Sequence, residues 1–170
     1  AWAVTVSKDG AFVDGAAVLM RAIQLAHPPS GPSASAYAHA FVAICHPEAP
    51  RSRAALLALG WRVLEAHEPV KLDEIQGDFL RGHVASSGCC GARELLKLYA
   101  WALAGYWRVV HLDMDSLVLG NMDELFSIDA SLVYTCDYNM MGQGSREKLH
   151  LQQQQQQQQQ RTFSCGANGQ

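Results

Sequence analysis

The sequence predicts an α/β fold with a mainly parallel sheet and flanking helices. Apolar, β-prone segments alternate with stretches of helix formers, and turn residues separate them. Strands separated by helices need crossover connections, which make neighbouring strands parallel. In such a sheet, ligands bind beyond the carboxyl ends of the strands. We therefore expect the functional residues just after the predicted strands.

The first half of the chain alternates strand and helix signals. Asp14 is suited to cap the first helix, and a stretch rich in proline, serine and glycine over 27–35 ends it. The second helix starts at Pro50, where proline fits the first turn, and Gly60 is placed to end it. The predicted elements are a strand at 4–6, a helix over 14–26, a strand over 37–45, a helix over 50–59 and a strand over 61–64.

The second half is less regular. Residues 66–92 mix proline, glycine, serine and charge without periodicity, which predicts a long surface connection of the kind that often carries function. The polar residues of 93–104 are confined to Arg93, Glu94 and Lys97, so this segment is predicted to be a largely buried α-helix. Beyond it we expect a strand over 109–112, a helix over 121–126 capped by Asn121, and a strand over 132–136.

The pattern of apolar residues ends near residue 141. A domain of this length is large enough to bury a hydrophobic core, so residues 1–141 are predicted to form one domain. Residues 142–170 include nine consecutive glutamines at 152–160 and have no apolar face with which to join a core. We expect this low-complexity tail to be disordered.

Charge and cysteine content exclude some classes of protein. The chain has 13 Lys plus Arg against 16 Asp plus Glu, which is not the basic excess of a dedicated nucleic-acid binder. No apolar run reaches the roughly 18 to 20 residues that span a bilayer, so no membrane span is expected. The five cysteines are odd in number and lack zinc-ligand spacing, which predicts mostly reduced thiols. The adjacent Cys89 and Cys90 suit a small-residue loop beside a helix, and the alternative is a redox pair or a metal clip.

The most chemically specific segment is 107–115, where an apolar strand leads into Asp113 and Asp115. In an extended strand these two carboxylates would share one face, roughly 7 Å apart at the backbone. Mg²⁺ and Mn²⁺ bind one or two protein carboxylates together with water and substrate phosphates. The pair therefore predicts a metal-bound diphosphate as ligand. The alternative is an acidic turn that ends the strand, since Asp is common in turns.

Two cations precede these acids in the sequence. Arg93 and Lys97 are four residues apart and would share one face of an α-helix near its positive end, where both can reach a diphosphate. A cation there would stabilise a departing nucleoside diphosphate. The alternative for Lys97 is an ordinary ion pair with Glu94 at i,i+3. His111 alternates with the acids and is predicted to be a hydrogen-bonded strand residue.

Three segments carry a resemblance to a known family. They are 5–16, Thr-Val-Ser-Lys-Asp-Gly-Ala-Phe-Val-Asp-Gly-Ala, 94–101, Glu-Leu-Leu-Lys-Leu-Tyr-Ala-Trp, and 111–126, His-Leu-Asp-Met-Asp-Ser-Leu-Val-Leu-Gly-Asn-Met-Asp-Glu-Leu-Phe. The chain thereby resembles the glycogenin-like family 8 glycosyltransferases over roughly residues 4–139. The resemblance implies their Rossmann-like GT-A nucleotide-diphospho-sugar transferase fold.

The resemblance also implies a reaction. Members of this family transfer a hexose or pentose from a UDP-sugar to a hydroxyl acceptor on a glycan, protein or small molecule, using Mn²⁺, with Mg²⁺ as the alternative ion, and retaining configuration. By position, Asp113 and Asp115 look like the metal ligands and Lys97 like the catalytic basic residue at the donor. Phe12 stands where many members have Tyr, which keeps the ring for stacking. The implied donor-binding residues are Val6, Lys8, Asp9, Phe12, Arg93, Lys97, Leu112, Asp113, Met114 and Asp115.

This chain departs from the family pattern in its later part. The family's third metal ligand, usually a His in a later motif, and its acceptor residues are not recognisable here, so we expect a chain truncated on its C-terminal side. One alternative is a non-catalytic module that binds a nucleotide sugar or a partner. Another is a nucleotidyltransferase, which no glycine-rich phosphate loop supports. The resemblance leaves the Golgi lumen and the cytoplasm as compartments to test, and a homodimer as an assembly to test.

Overall fold

The computed structural model describes residues 1–32, 34–88 and 90–134. The regular elements lie in one unit, Ala1–Ile128. The α/β prediction is confirmed, because four parallel strands form one sheet with helices beside it. The elements are β1 (Trp2–Val6), α1 (Phe12–Ala26), β2 (Phe41–Cys45), α2 (Pro50–Ala58), β3 (Arg62–Glu65), α3 (Asp78–Ala85), β4 (Val110–His111) and α4 (Glu124–Ser127), with 3₁₀ segments at Leu72–Glu74 and Gly91–Ala102.

The strand order is β3-β2-β1-β4, so the first strand of the chain is an inner strand of the sheet. Trp2 is paired with Phe41 on one side and with Val110 on the other. All four strands run the same way, and their carboxyl ends therefore meet at one edge of the sheet. The residues that follow Val6, Cys45, Glu65 and His111 lie along this edge, where parallel sheets bind ligands.

Helix α1 shows how the core forms. Ala16, Leu19 and Ile23 recur at helical spacing and are at most 1% exposed. Val18 and Leu25 lie on other faces of the same helix and are 58% and 63% exposed. Each aliphatic side chain that is fully buried stabilises the fold by about 1.5 to 3 kcal/mol. The buried stripe of α1 therefore belongs to the hydrophobic core that includes β1 and β2.

The predicted α-helix over 93–104 is wrong in type and in burial. The segment is a 3₁₀ helix, Gly91–Ala102, and of its side chains only Leu96 and Ala100 are buried. Trp101 is 61% exposed. The segment contacts β1, β2 and β4, but these contacts bury little of its apolar surface. Apolar composition indicated burial that the tertiary contacts do not provide.

The connection over 66–92 also contains more structure than its composition predicted. Helix α3 and the short 3₁₀ segment Leu72–Glu74 both form within it. Local hydrogen bonds support them, because the Arg81 guanidinium donates to the Ile75 carbonyl at 2.8 Å and the Lys71 N–H donates to the Glu74 carboxylate at 3.1 Å. Such contacts between side chain and backbone do not appear as hydrophobic periodicity, so the sequence pattern missed them.

Several predicted boundaries move. The helix over 50–59 and the strand over 61–64 are confirmed to within one residue, and Gly60 has a φ of +93°, as expected for a glycine after a helix. Asp14 lies in the first turn of α1 and not at its cap. The Asn121 side chain accepts a hydrogen bond from the Asp123 N–H at 2.7 Å, a local turn that delays α4 to Glu124–Ser127. The strands predicted over 37–45 and 109–112 shorten to Phe41–Cys45 and Val110–His111.

The end of the described chain contains no strand. Residues 132–134 have no regular secondary structure, so that part of the strand predicted over 132–136 is wrong, and 135–136 lie outside the described residues. The tail predicted over 142–170 also lies outside them, and its disorder stays a prediction. Among the residues that the structure describes, no helix is both long enough and apolar enough to cross a membrane.

Candidate functional site

Asp113 and Asp115 lie at the carboxyl edge of the sheet, as predicted, but not in an extended strand. Strand β4 ends at His111, and a turn begins at Asp113, whose carbonyl accepts a hydrogen bond from the Ser116 N–H at 3.0 Å. We call this turn, Asp113–Ser116, the acidic turn. The alternation that would place both carboxylates on one face of a strand therefore does not apply here. Both acids are exposed, and the Asp113 side chain is 63% exposed. Water and a ligand can reach them from solvent.

Lys97 is the cation that the fold brings to this turn. Its Nζ lies 3.1 Å from the Asp113 Oδ1 and 2.9 Å from the Glu94 Oε2. Partial burial alone would lower the pKa of Lys97, but hydrogen bonds to these two carboxylates outweigh burial and raise the pKa above its usual value. The ion pair with Glu94 and the contact with the acidic turn, which the sequence offered as alternatives, therefore occur together.

Arg93 is held by acceptors at the ends of three strands. Its guanidinium donates to the Ser7 carbonyl at 3.3 Å and pairs with Glu48 at 2.7 Å and Glu68 at 3.4 Å. The Glu48 carboxylate contributes most to raising the pKa of Arg93. A 3₁₀ helix has three residues per turn, so positions i and i+4 diverge, and Arg93 does not share the face of Lys97 that an α-helix would have given it. Arg93 joins the loops after β1, β2 and β3.

His46, His67 and Glu68 bring three potential metal-ligand atoms within 4.8 Å of one another after β2 and β3. Their hydrogen bonds argue against a metal here. The His46 Nδ1 accepts the Glu48 N–H at 3.2 Å, which leaves the proton of a neutral ring on the Nε2 that faces Glu68. Burial raises the pKa of Glu68, but its own backbone N–H, His46 and Arg93 outweigh burial and lower it. Glu68 is therefore committed to His46 and to its ion pair with Arg93.

The residues after β1 differ in what they can offer a ligand. Val6 is 1% exposed and belongs to the core, so its side chain is committed to packing. Phe12 packs partly against the core, and Lys8 is exposed. Leu112 is also partly buried, and its N–H donates to the Ala3 carbonyl at 2.9 Å. Of these predicted donor-binding residues, Lys8 has the most accessible side chain.

Asp9 has a structural role that the sequence did not indicate. Its carboxylate accepts the backbone N–H groups of Ser52 at 2.8 Å and Arg51 at 3.3 Å, in the first turn of α2. The hydrogen bond from Ser52 is the main cause of the lowered pKa of Asp9. Asp9 therefore caps α2 from a distant part of the chain, which satisfies donors that a helix start leaves open. A cleft of about 440 Å³ adjoins this cap, and it is lined by Asp9, Gly10, Val13, Arg51, Ser52 and Ala55.

His111 behaves as the predicted strand residue. Its Nε2 lies 2.8 Å from the Thr5 Oγ1 on the neighbouring strand β1. Burial is the main cause that lowers the pKa of His111, although the nearby Asp113 carboxylate opposes it. The hydrogen bond joins the two inner strands just before the acidic turn.

Cys45 matches the prediction of reduced thiols. Cys45 is a buried thiol at the end of β2, and burial raises its pKa to about 11, so it stays protonated at neutral pH. The Cys90 sulfur accepts a hydrogen bond from the Ser7 hydroxyl at 2.9 Å. Cys89, Cys136 and Cys165 lie outside the described residues.

A second polar network, which the sequence did not reveal, anchors the chain after the acidic turn. The Trp2 indole N–H donates to the His39 Nδ1 at 2.9 Å, and the His39 Nε2 lies 2.7 Å from the Ser35 hydroxyl. That hydroxyl donates to the Asp123 carboxylate at 2.7 Å. The network joins β1, the loop before β2 and the residues before α4. Its members are far apart in sequence, so no local signal could have found it.

His27 completes this network. Its Nδ1 lies 3.0 Å from the Ile23 carbonyl, and its Nε2 accepts the Met122 N–H at 2.8 Å. His27, His39 and Asp123 have ligand atoms close enough to hold a metal, but the lone pair of each imidazole already accepts a hydrogen bond. We therefore assign these residues to a structural anchor, and Asp113 and Asp115 remain the candidate metal ligands.

The structural anchor formed by His27, His39 and Asp123 predicts a pH dependence of stability. Burial, and to a smaller extent the nearby His27, lowers the pKa of His39 below 6.5. Near and below pH 6.5 the unfolded chain therefore binds more protons than the folded chain. Stability contributed by neutral His39 is then complete above pH 6.5 and is lost as the pH falls below it. Thermal unfolding between pH 7.5 and 5 is expected to show a falling midpoint, with a smaller fall in His39→Gln. The exposed His83 gives a control, His83→Gln, that should keep the slope of the wild type.

The comparisons with known proteins are narrow. No protein-family model matches the chain. A stretch of 32 residues is 66% identical to an Arabidopsis thaliana protein named "Putative glucuronosyltransferase PGSIP7". This match links the chain to a glycosyltransferase. It covers 19% of this chain and 6% of the Arabidopsis protein, so it supports a relationship to a transferase and does not establish membership of family 8.

Proposed function

We propose that this chain forms the donor-binding part of a metal-dependent glycosyltransferase that uses a UDP-sugar. The observation that carries the proposal is the contact of the Lys97 Nζ with Asp113 at 3.1 Å, at the edge of a parallel sheet where ligands bind. Two exposed carboxylates and a cation are brought together there. The match to a protein named as a glucuronosyltransferase supports the same class of reaction.

The chemistry of the two acids fits a divalent cation. Asp113 and Asp115 offer hard oxygen ligands, and their exposure leaves room for water and phosphate oxygens to complete the coordination that Mn²⁺ or Mg²⁺ prefers. In the described part of the chain, neither acid belongs to a cluster of three or more potential ligands. A bound ion would supply positive charge that stabilises a leaving diphosphate.

Each of the chain's own residues then has a role. Asp113 and Asp115 would hold the ion, and Lys97, a permanent cation beside them, would contact the diphosphate and stabilise charge as the bond to the sugar breaks. The accessible Lys8 and the ring of Phe12 would contact the nucleoside after β1. Arg93 would hold the loops after β1, β2 and β3 in place, since its guanidinium contacts Ser7, Glu48 and Glu68 in these loops. We propose retention of configuration and a hydroxyl acceptor, with hexoses, pentoses and glucuronate as the donor sugars to test.

A second candidate function is a module that binds a nucleotide sugar or a partner without turnover. The observation that favours it is the small ligand set: in the described part of the chain, Asp113 and Asp115 belong to no group of three potential ligands, and the nearby Glu94 is paired with Lys97. Such a module would bind UDP and a metal but release no sugar. Activity measurements therefore separate the two candidates, and binding measurements do not.

Calorimetric titration of UDP into the purified chain tests the proposal. We expect binding in the presence of Mn²⁺ and its loss when the metal is chelated, because Asp113 and Asp115 would hold the ion whose charge attracts the diphosphate. Affinity that is the same with and without metal would contradict the role of Asp113 and Asp115. A folded chain that binds no UDP in Mn²⁺ would contradict the donor site altogether.

A further inference from the structure

Helix α1 approaches the acidic turn more closely than a side chain would allow. A Cβ placed on Gly15 would lie 2.7 Å from the Met114 carbonyl oxygen and 3.4 Å from the Met114 carbonyl carbon. Gly15 is not among the glycines with positive φ, so its backbone conformation is open to other residues. The requirement for glycine at this position therefore comes from the close approach and not from the backbone angle.

Hydrogen bonds hold the turn on both sides, so a shift that relieves such a contact strains them. On one side the Leu112 N–H is bonded to the Ala3 carbonyl at 2.9 Å, and on the other the Ser116 N–H closes the turn on the Asp113 carbonyl at 3.0 Å. The Met114 side chain also packs against the core. The atom that a Cβ would meet belongs to the backbone, so no change of side-chain rotamer removes the clash.

We propose that Gly15 is a positioning residue for the metal ligands, an inference that rests on the proposed function. Met114 lies between Asp113 and Asp115, and a shift of its peptide moves both carboxylates. Lengthening the contact from 2.7 Å to the 3.4 Å of an ordinary van der Waals contact requires a movement of about 0.7 Å. Displacements of this size in a site cost up to ~100-fold in function. The contact with helix α1 thus determines the positions of the Asp113 and Asp115 carboxylates.

The test compares Gly15→Ala with Gly82→Ala. Both glycines lie in α-helices, and neither has a positive φ, but a Cβ on Gly82 would meet nothing within 4 Å. Alanine is the better helix former, so both variants should gain equally from helix propensity alone. We expect Gly15→Ala to weaken the binding of Mn²⁺ with UDP by about 10-fold to 100-fold, and Gly82→Ala to leave it unchanged. Equal binding by the two variants would overturn the inference.

Amide hydrogen exchange gives a second measurement that needs no ligand. In Gly15→Ala we expect faster exchange at the N–H groups of Leu112 and Ser116, and unchanged exchange in β1 and β2. Exchange that is unchanged at the turn, or that rises equally across β1 and β2, would overturn a local positioning role. If the wild-type chain bound no Mn²⁺ with UDP, the proposed function would fail, and the exchange comparison would still decide the role of Gly15.

Discussion

Asp113→Asn is expected to abolish Mn²⁺-dependent binding of UDP while the chain stays folded. The substitution removes a charged metal ligand. Mutation of residues that only hydrogen-bond to metal ligands already lowers metal affinity ~10-fold to 100-fold, so the loss here should be at least about 100-fold. The Asp113 side chain is 63% exposed and its contact with Lys97 is partly solvated, so stability should change by no more than about 1 kcal/mol. Calorimetry with Mn²⁺ and UDP measures the first effect, and thermal unfolding measures the second.

The matched control for this variant is Asp78→Asn. Asp78 begins α3, its side chain is fully exposed, and its ion pair is with Arg81 on the same helix. Asp78→Asn removes one negative charge, as Asp113→Asn does, so the two variants have the same net charge. The control should bind UDP as the wild type does. Unchanged binding by Asp113→Asn would end the assignment of this acid as a metal ligand. A loss shared by both variants would indicate a general effect of charge.

Lys97→Met is expected to separate catalysis from metal binding. If Lys97 stabilises the leaving diphosphate, its removal should lower the release of UDP from a UDP-sugar by about 100-fold to 1,000-fold, the cost of losing one such donor. The affinity for Mn²⁺ should rise, because the lysine ammonium occupies Asp113 at 3.1 Å and competes with the ion. Methionine keeps much of the apolar stem, so the packing of the long 3₁₀ helix should survive.

The control for Lys97→Met is Lys71→Met, at an exposed lysine before the short 3₁₀ segment. Its backbone N–H, which is bonded to Glu74, is retained in the variant. Lys71→Met should change neither turnover nor metal affinity. A fall in metal affinity in Lys97→Met would contradict the idea that the lysine competes with the ion. Unchanged turnover, in a wild type that is active, would contradict its catalytic role.

The elements that the sequence located well are those with strong local signals. Pro50 and Gly60 bracket α2 closely, because proline fits a first helical turn and a positive φ favours glycine. The helix formers of 14–26, with the proline-rich stretch behind them, similarly located α1, Phe12–Ala26. The prediction over 93–104 is wrong because apolar composition suits a buried α-helix, whereas the tertiary contacts of Gly91–Ala102 bury only Leu96 and Ala100.

The sequence likewise predicted only part of the candidate site. The sequence pointed to Asp113, Asp115 and Lys97 because these residue types follow a strand and a helix start at spacings that suit a metal and a diphosphate. It misjudged their geometry, since Asp113 begins a turn and a 3₁₀ helix turns Arg93 away from Lys97. Propensity and spacing describe the backbone only within a few residues, and such details depend on what lies across the sheet.

By itself, the sequence determined the fold class, the edge of the sheet at which function is expected, and the residues whose chemistry suits it. Only the tertiary structure decided that Lys97 contacts Asp113, that Asp9 caps a helix more than 40 positions away, and that Gly15 lies against Met114. These contacts join residues remote in sequence, and their distances follow from how α1 and the strands pack. Local patterns fix which side chains are available, and packing fixes which of them meet.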